Sequence, residues 1–358
     1  MQSVIKPIRG HTSARPRQLI FALTLVSMVA IATSHAVRAE PVEPPMELLY
    51  SPGTVLVAGV VSDIDPAGRV VFQRKDVFSG RGKLPDLIDI RVPLSVARRV
   101  KPGERYIVGY SIARSDPRHP TRTVADPRGA TLVTSIGLDP ALFADTPETR
   151  ALLKAGRSEH GRESRRFFQL LMKALGSHDL ALQTLAAGEI ALEPEIGERL
   201  RDDNEGTVER VARSTQTPPA VRASLLQSAF KRPSDLGNWW EAVARDVVTT
   251  TSVGGYSDPT SDPTDLVLVA LELLDQHAGS LPSDALVRWV RSGSPALVER
   301  ACLMLRRISP ALERTSVRTA LDDPGLPDQT RRFLGDHLRR LDVLDARLKA
   351  RAGGSTGS

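Results

Sequence analysis

The spacing of hydrophobic residues changes once along this chain, near residue 146, and this change constrains the fold more than any other feature. Between residues 48 and 145, hydrophobic and polar residues tend to alternate, as they do in strands that bury one face. Between residues 148 and 350, hydrophobic residues recur every three to four positions, as on one side of an amphipathic helix. The sequence therefore predicts an α+β protein of two domains, with an all-α domain after a β domain.

Five segments of the first region have the valine-rich, alternating pattern of strands. They are Thr54–Ile64, Arg69–Lys75, Leu87–Val92, Arg105–Ala113 and Ala130–Ile136. A turn at residues 65–68 predicts a hairpin between the first two, and Gly59 predicts a bulge within the first. Leu94–Val100 is long enough for about two helical turns between the third and fourth strands. Five strands with a short helix in this place resemble the OB-fold, so we expect a small five-stranded β-barrel over residues 48–145.

The OB-fold resemblance implies a ligand surface formed by the loops after the first and fourth strands. The second of these loops is Ser115–Gly129, and it is rich in basic residues. Two interpretations stay open: a solvated loop, or a loop that binds an anionic or glycan ligand. The candidate binding residues of this loop are Arg118, His119, Arg122 and Arg128.

Ten segments of the second region have the helical period, and many of them begin at or beside a proline. They are Glu163–Leu175, Leu180–Ala187, Val208–Ser214, Pro219–Lys231, Asn238–Thr249, Thr264–His277, Ser283–Ser292, Pro295–Ile308, Ala311–Leu321 and Asp328–Ala350. Most of the breaks between them are short, which favours antiparallel helical hairpins.

Three of these helices open with similar sequences, at Pro218–Leu226, Ser294–Leu303 and Asp328–Leu334. In each, a short polar turn precedes a helix whose first turns carry a hydrophobic residue and an arginine. This pattern is similar to HEAT-type repeats, and the resemblance implies helical hairpins stacked as a solenoid over residues 148–350. A compact, irregular helical domain is the alternative.

A Ser-, Thr-, Gly- and Pro-rich segment, Thr249–Pro263, interrupts the helical pattern. It predicts either an internal linker or a recognition loop that presents Tyr256 beside Trp239 or Trp240, and we take these three aromatic residues as candidate binding residues. The acidic residues of this segment do not have the spacing of an EF-hand calcium loop. Residues 351–358 have the composition of a disordered tail.

The amino terminus has the order of features found in secretory signal peptides. Basic residues precede an apolar run, Leu19–Ala32, and small residues at Val37 and Ala39 precede a potential cleavage site. The run is shorter than the roughly 20 apolar residues of a membrane-spanning helix. We therefore predict a leader over residues 1–39, cleavage after Ala39, a linker over residues 40–47, and a bacterial periplasmic or secreted protein with no stable membrane span after cleavage.

Without the leader, the positive charge of the chain almost disappears. The leader holds five of the 48 Lys and Arg residues and none of the 42 Asp and Glu residues, so the remaining chain has a formal charge of +1. A nucleic-acid-binding protein needs an excess of cations against phosphate. We therefore expect no nucleic-acid partner.

The sequence contains none of the motifs that mark common catalytic or metal sites. The single cysteine, Cys302, lies in an apolar run and is expected to be buried and structural. The histidines of the mature chain are expected at helix ends or in loops. We therefore predict no catalytic residue, cofactor or metal. The favoured hypothesis is an exported, non-enzymatic binding or scaffold protein that recognises another envelope protein through its helical repeats. The alternative is a ligand-binding protein or enzyme with its site where the barrel meets the helices, near residues 115–129.

Overall fold

A computed structural model describes residues 42–80, 84–112, 130–135, 137–138, 140–193, 195–196, 199–200, 205–254, 261–277 and 281–354. Within it, the described residues from Glu43 onward form one compact unit. The leader, the loop candidates Arg118, His119, Arg122 and Arg128, and the candidate Tyr256 lie outside the described residues, as do the last four residues of the tail.

Six strands form the sheet at the amino-terminal side: β1 (Thr54–Ile64), β2 (Arg69–Ser79), β3 (Leu87–Arg91), β4 (Arg105–Ile112), β5 (Ala130–Leu132) and β6 (Leu142–Ala144). The first five pair in the order β1-β2-β3-β5-β4, and β4 pairs with β1, which closes a barrel. β3 and β5 are parallel, and a short helix, α2 (Leu94–Ala97), lies between β3 and β4. The predicted five-stranded, OB-like barrel is therefore confirmed. β6, which pairs with β4, is an additional strand that the alternation of residues did not predict.

The bulge predicted at Gly59 is also present. The pairing of β1 with β2 shifts register between Ala58 and Gly59. A Cβ atom at this position would lie 3.0 Å from the Cβ atom of Phe72 on β2, so the two strands approach closely here. Phe72 is fully buried and packs with the valines and isoleucines that fill the barrel.

A helix that the sequence did not predict, α1 (Pro45–Leu49), precedes the barrel, and its first residues fall within the segment interpreted as a linker. Met46 and Leu49 on this helix are both fully buried. A Cβ atom at Gly109 of β4 would lie 2.9 Å from the Leu49 side chain, which shows how closely α1 covers the barrel. The short segment is thus part of the core, because its apolar residues pack against both the barrel and the helices.

The remaining helices follow β6. They are α3 (Pro147–Ala155), α4 (Glu159–Arg162), α5 (Arg165–Leu175), α6 (Leu180–Leu192), α7 (Glu205–Arg213), α8 (Pro219–Lys231), α9 (Pro233–Leu236), α10 (Trp239–Thr250), α11 (Thr264–Gln276), α12 (Ser283–Trp289), α13 (Pro295–Ile308), α14 (Pro310–Leu321) and α15 (Asp328–Gly354).

These helices pair along the chain as α5 with α6, α7 with α8, α10 with α11, α12 with α13 and α14 with α15. The second helices of the pairs also pack on one another in sequence, which forms a row of α6, α8, α11, α13 and α15. The three similar sequence segments open α8, α13 and α15, and all three belong to this row. A stack of helical hairpins therefore follows the barrel, in the arrangement expected for HEAT-like repeats.

One hydrophobic core is shared by the barrel and the helices. It includes Leu56 and Ile107 of the barrel, Met46 of α1, and buried residues from every helix of the row. The segment after β5 comes close to both α1 and α6 at Gly137. This residue has a φ angle of +86°, and a Cβ atom there would lie 2.6 Å from Pro45 and 3.0 Å from the Cα atom of Gly188. Within the described part of the chain, no helix is both long and apolar enough to cross a membrane.

Candidate functional site

Two adjacent depressions lie where the barrel meets the row of helices. The first has a volume of about 460 Å³ and is lined by α2, β4 and β6 on one side and by the starts of α6, α8 and α11 on the other. The second, of about 420 Å³, lies between Thr134, Ser135 and Gly137 on one side and the helices α6 and α8 on the other. Gly137, Thr184 and Ala220 line both of them. We call these two depressions together the junction groove.

The walls of the first depression are mainly apolar. Val96 and Val100 come from the segment between β3 and β4, Leu142 comes from β6, and Leu180 and Pro219 come from the starts of α6 and α8. Each strand residue is placed by the pairing of β6 with β4, which sets Leu142 opposite Val108 and Ala144 opposite Tyr106. A concave, mostly apolar surface with few polar groups is the usual character of a ligand site.

Tyr106, at the start of β4, contributes a polar group to the groove. Its hydroxyl donates a hydrogen bond to a carboxylate oxygen of Glu104 at 2.7 Å. Burial, together with this hydrogen bond to a carboxylate, raises the pKa of Tyr106 to about 12. The hydroxyl is therefore protonated at neutral pH and is held at the rim by its bond to Glu104.

The carboxylates of the groove lie at the starts of helices. Asp179 accepts hydrogen bonds from the backbone N–H groups of Ala181 and Leu182, and so caps α6. Asp262 accepts a hydrogen bond from the backbone N–H of Thr264 at the start of α11. These acids offset the partial positive charge of the helix ends. With Asp265 they outnumber Arg99, the one basic residue among the described residues of the lining, so the side-chain charge of this described part of the rim is negative.

The predicted tryptophan candidates have different surroundings. Trp240 is 4% exposed, and its ring lies edge to face with Phe230, 5.0 Å away between centroids, and with His277 at 5.2 Å. Trp240 therefore packs in the core and leaves almost no surface for a partner. Trp239 is half-buried, and its indole N–H is buried without a hydrogen-bond partner among the described residues. Neither tryptophan lines the junction groove.

The loop that held most of the candidate residues leaves the barrel at the other end of β4. Ile112, the last residue of β4, pairs with Ala130 at the start of β5. It is six residues from Tyr106, or about 20 Å at about 3.4 Å per residue. None of the described residues that line the junction groove is among the candidate binding residues predicted from the sequence.

Two buried acids were also missed. Glu189 lies in the last turn of α6 and is fully buried. One of its carboxylate oxygens accepts a hydrogen bond from the backbone N–H of Met46, and the other has no partner among the described residues. Burial raises the pKa of Glu189 to about 7. An isolated acid in the otherwise uncharged segment Leu180–Leu192 was the signal that could have indicated it. The second buried acid is Glu313 of α14.

The buried position predicted for Cys302 is confirmed, since its side chain is fully buried and burial raises the pKa of its thiol to about 12. The expectation that histidines lie at helix ends or in loops is wrong for His337. That residue is in the third turn of α15 and is 7% exposed.

Comparisons with models of protein families, with curated proteins and with solved structures give no match to this chain.

Proposed function

We propose that this protein is an exported, non-enzymatic binding protein that holds a short, extended segment of a partner protein in the junction groove. The observation that carries the proposal is the continuity of the two depressions across Ala220, between the barrel and the row of helices. An elongated groove matches an extended chain better than a small, compact ligand. The proposal keeps the protein partner favoured by the sequence, and it takes the barrel–helix junction from the alternative hypothesis.

The chemistry of the groove suggests the character of the bound segment. Apolar walls favour apolar side chains, since their burial contributes about 25 cal/mol per Å² of apolar surface removed from water. The acids at the rim, Asp179, Asp262 and Asp265, favour a basic residue beside them. We therefore propose a segment with a few apolar side chains next to a lysine or an arginine.

Binding is favoured over catalysis because four of the polar side chains of the groove make structural hydrogen bonds. Asp179 and Asp262 cap helices, and the hydroxyl of Tyr106 is bonded to Glu104. The Thr184 hydroxyl donates to the backbone carbonyl of Leu180 at 2.7 Å. Of these bonds, only the one from Tyr106 to Glu104 joins a hydroxyl to a carboxylate, and the raised pKa of Tyr106 disfavours the phenolate that covalent catalysis by this hydroxyl would need.

Ala220 allows a direct test, because it is exposed, lies at the second position of α8 and faces both depressions. Ala220→Trp would fill the groove without changing the core. Ala296→Trp is a matched control, because Ala296 is also exposed and also follows the first-position proline of a helix in the row, α13. It lies outside the junction groove.

The assay places a photo-crosslinking amino acid at position 220 or at position 296 and identifies the crosslinked peptides from envelope fractions. We expect position 220 to crosslink to a defined segment of a partner, with apolar and basic residues, and Ala220→Trp to abolish capture of that partner. Equal crosslinking from both positions, or capture unaffected by Ala220→Trp, would contradict the proposal. A small molecule that stabilises the wild type but not Ala220→Trp against heat would instead support the small-ligand alternative.

A further inference from the structure

Three side chains with metal-binding atoms meet far from the junction groove, between the last three helices. The sulfur of Cys302, a carboxylate oxygen of Glu313 and a ring nitrogen of His337 all lie within 4.8 Å of one another. The three residues are 0%, 1% and 7% exposed, respectively. The spacing of these three residues along the chain does not indicate the cluster, since they come from three different helices.

The local structure brings them together in a simple way. Ser309 is the only residue between α13 and α14, and its hydroxyl oxygen caps α14 by accepting a hydrogen bond from the N–H of Leu312. This tight connection brings Glu313, in the first turns of α14, next to the last turns of α13. α15 packs against both α13 and α14 and places His337 between them.

Arg306 fixes the carboxylate of Glu313. Its guanidinium donates to both oxygens, at 2.8 and 2.9 Å, and it lies on the same face of α13 as Cys302, four residues earlier. The Nε2 atom of His337 is 2.8 Å from one of these oxygens. Burial favours the neutral acid, but the hydrogen bonds from Arg306 and His337 outweigh it and lower the pKa of Glu313. The carboxylate is therefore ionised.

We propose that Cys302, Glu313 and His337 form a zinc-binding site. A thiolate, an imidazole and a carboxylate are the three kinds of protein ligand that Zn²⁺ binds. The thiol gives up its proton to solvent as the Zn–S bond forms, and the thiolate and carboxylate then balance the two charges of the ion. In tetrahedral coordination the ligand atoms stand roughly 3.3–3.8 Å apart, so these side chains need to move by only about 1 Å.

The surroundings fit this role in two further ways. Arg306 is 36% exposed on its side chain, so its charge stays in contact with solvent while it orients the carboxylate, as outer partners of metal ligands do. The ring of Phe333 stacks on His337, with 6.1 Å between centroids and 15° between planes, which fixes the imidazole. A water molecule would complete the fourth position of the tetrahedron.

The test uses the purified protein after removal of metals with a chelator. Isothermal titration with ZnCl2 is expected to show one tight site per chain, with release of a proton at about pH 7. Titration with Co²⁺ is expected to give the thiolate-to-cobalt charge-transfer band and the intense visible bands of a tetrahedral site. Cys302→Ser and His337→Gln should each weaken zinc binding by more than about tenfold, since even outer partners of ligands contribute about 10–100-fold.

His277→Gln is the matched control, because His277 ends α11 and lies edge to face with Trp240, outside the cluster. It should bind zinc as the wild type does. Circular dichroism establishes that each variant is folded. If a variant does not fold, the cobalt spectrum and the proton release of the wild type still test whether zinc binds at this cluster. The absence of a stoichiometric site, a cobalt spectrum without a thiolate band, or unchanged zinc affinity in folded Cys302→Ser would overturn the proposal and leave a metal-free Arg306–Glu313–His337 ion-pair network.

Discussion

Glu189 makes the stability of this protein depend on pH, and its burial allows the size of the effect to be worked out. Its pKa is raised from 4.5 to about 7, first because the carboxyl is buried, although the hydrogen bond from Met46 opposes this shift. The folded protein therefore holds the proton to higher pH than the unfolded chain. This contribution to stability is fully present below the unfolded value, near pH 4.5, and is lost as the pH rises through about 7.

The magnitude follows from the difference between the two pKa values. Each pKa unit corresponds to about 1.4 kcal/mol, so ionising Glu189 in the folded protein costs about 3 kcal/mol, of which about 2–3 kcal/mol is lost between about pH 5 and about pH 8. This is a sizeable part of the roughly 5–15 kcal/mol that stabilises a typical domain. The change matters for the connection between α1 and α6, since Glu189 is bonded to the first turn of α1.

The assay is urea unfolding of the wild type and of Glu189→Gln across this pH range. Glutamine does not titrate, and its carbonyl oxygen can still accept the hydrogen bond from Met46. The free-energy difference between the two proteins should therefore shift by about 2–3 kcal/mol in favour of Glu189→Gln as the pH rises from about 5 to about 8. The same substitution at the exposed Glu163 should leave the pH dependence of unfolding unchanged. A difference between wild type and Glu189→Gln that stays constant with pH would refute the reasoning.

Two further outcomes are expected. Trp240→Ala should lower the free energy of unfolding by about 3–5 kcal/mol, because a fully packed aromatic ring is removed from the core. Trp239→Ala should cost less, because Trp239 is only half-buried, and an equal loss measured by urea unfolding of the two variants would contradict the packing described here. Expression of the full chain in a bacterium should give a protein in the periplasm or medium whose amino terminus is Glu40, and N-terminal sequencing of an uncleaved cytoplasmic product would contradict the predicted leader.

The order of elements could be predicted well from the sequence, because both barrel strands and paired helices have local periodicity. Each of the five barrel strands was placed, and so was the short helix of residues 94–97, since alternation over a few residues decides which face of a strand is buried. The ends of elements were less accurate. The predicted end of α6 at Ala187 was five residues short, because Gly188 and Glu189 look like a helix end when their neighbours in space are unknown.

The candidate site could not be predicted in the same way. The sequence pattern indicated a long basic loop and aromatic residues as binding candidates, yet the described lining of the junction groove consists of ordinary residues such as Val96, Thr184 and Ala220. What makes them a groove is the packing of the helices beside the barrel, at close contacts such as Gly137 against Gly188. The segment of α1 was likewise interpreted as a linker, because its burial depends on a surface that exists only after the chain has folded.

The sequence by itself determined the barrel, the helical hairpins and their order, and it also predicted the leader. These features depend on side chains that are neighbours along the chain, and their period is visible without any knowledge of the fold. Only the tertiary structure decided which residues from separate elements meet. It joined the barrel to the row of helices and left a groove between them. It also buried Glu189 against α1 and brought Cys302, Glu313 and His337 within 4.8 Å of one another. Such contacts arise from packing between distant segments, which leaves no periodic signal in the sequence.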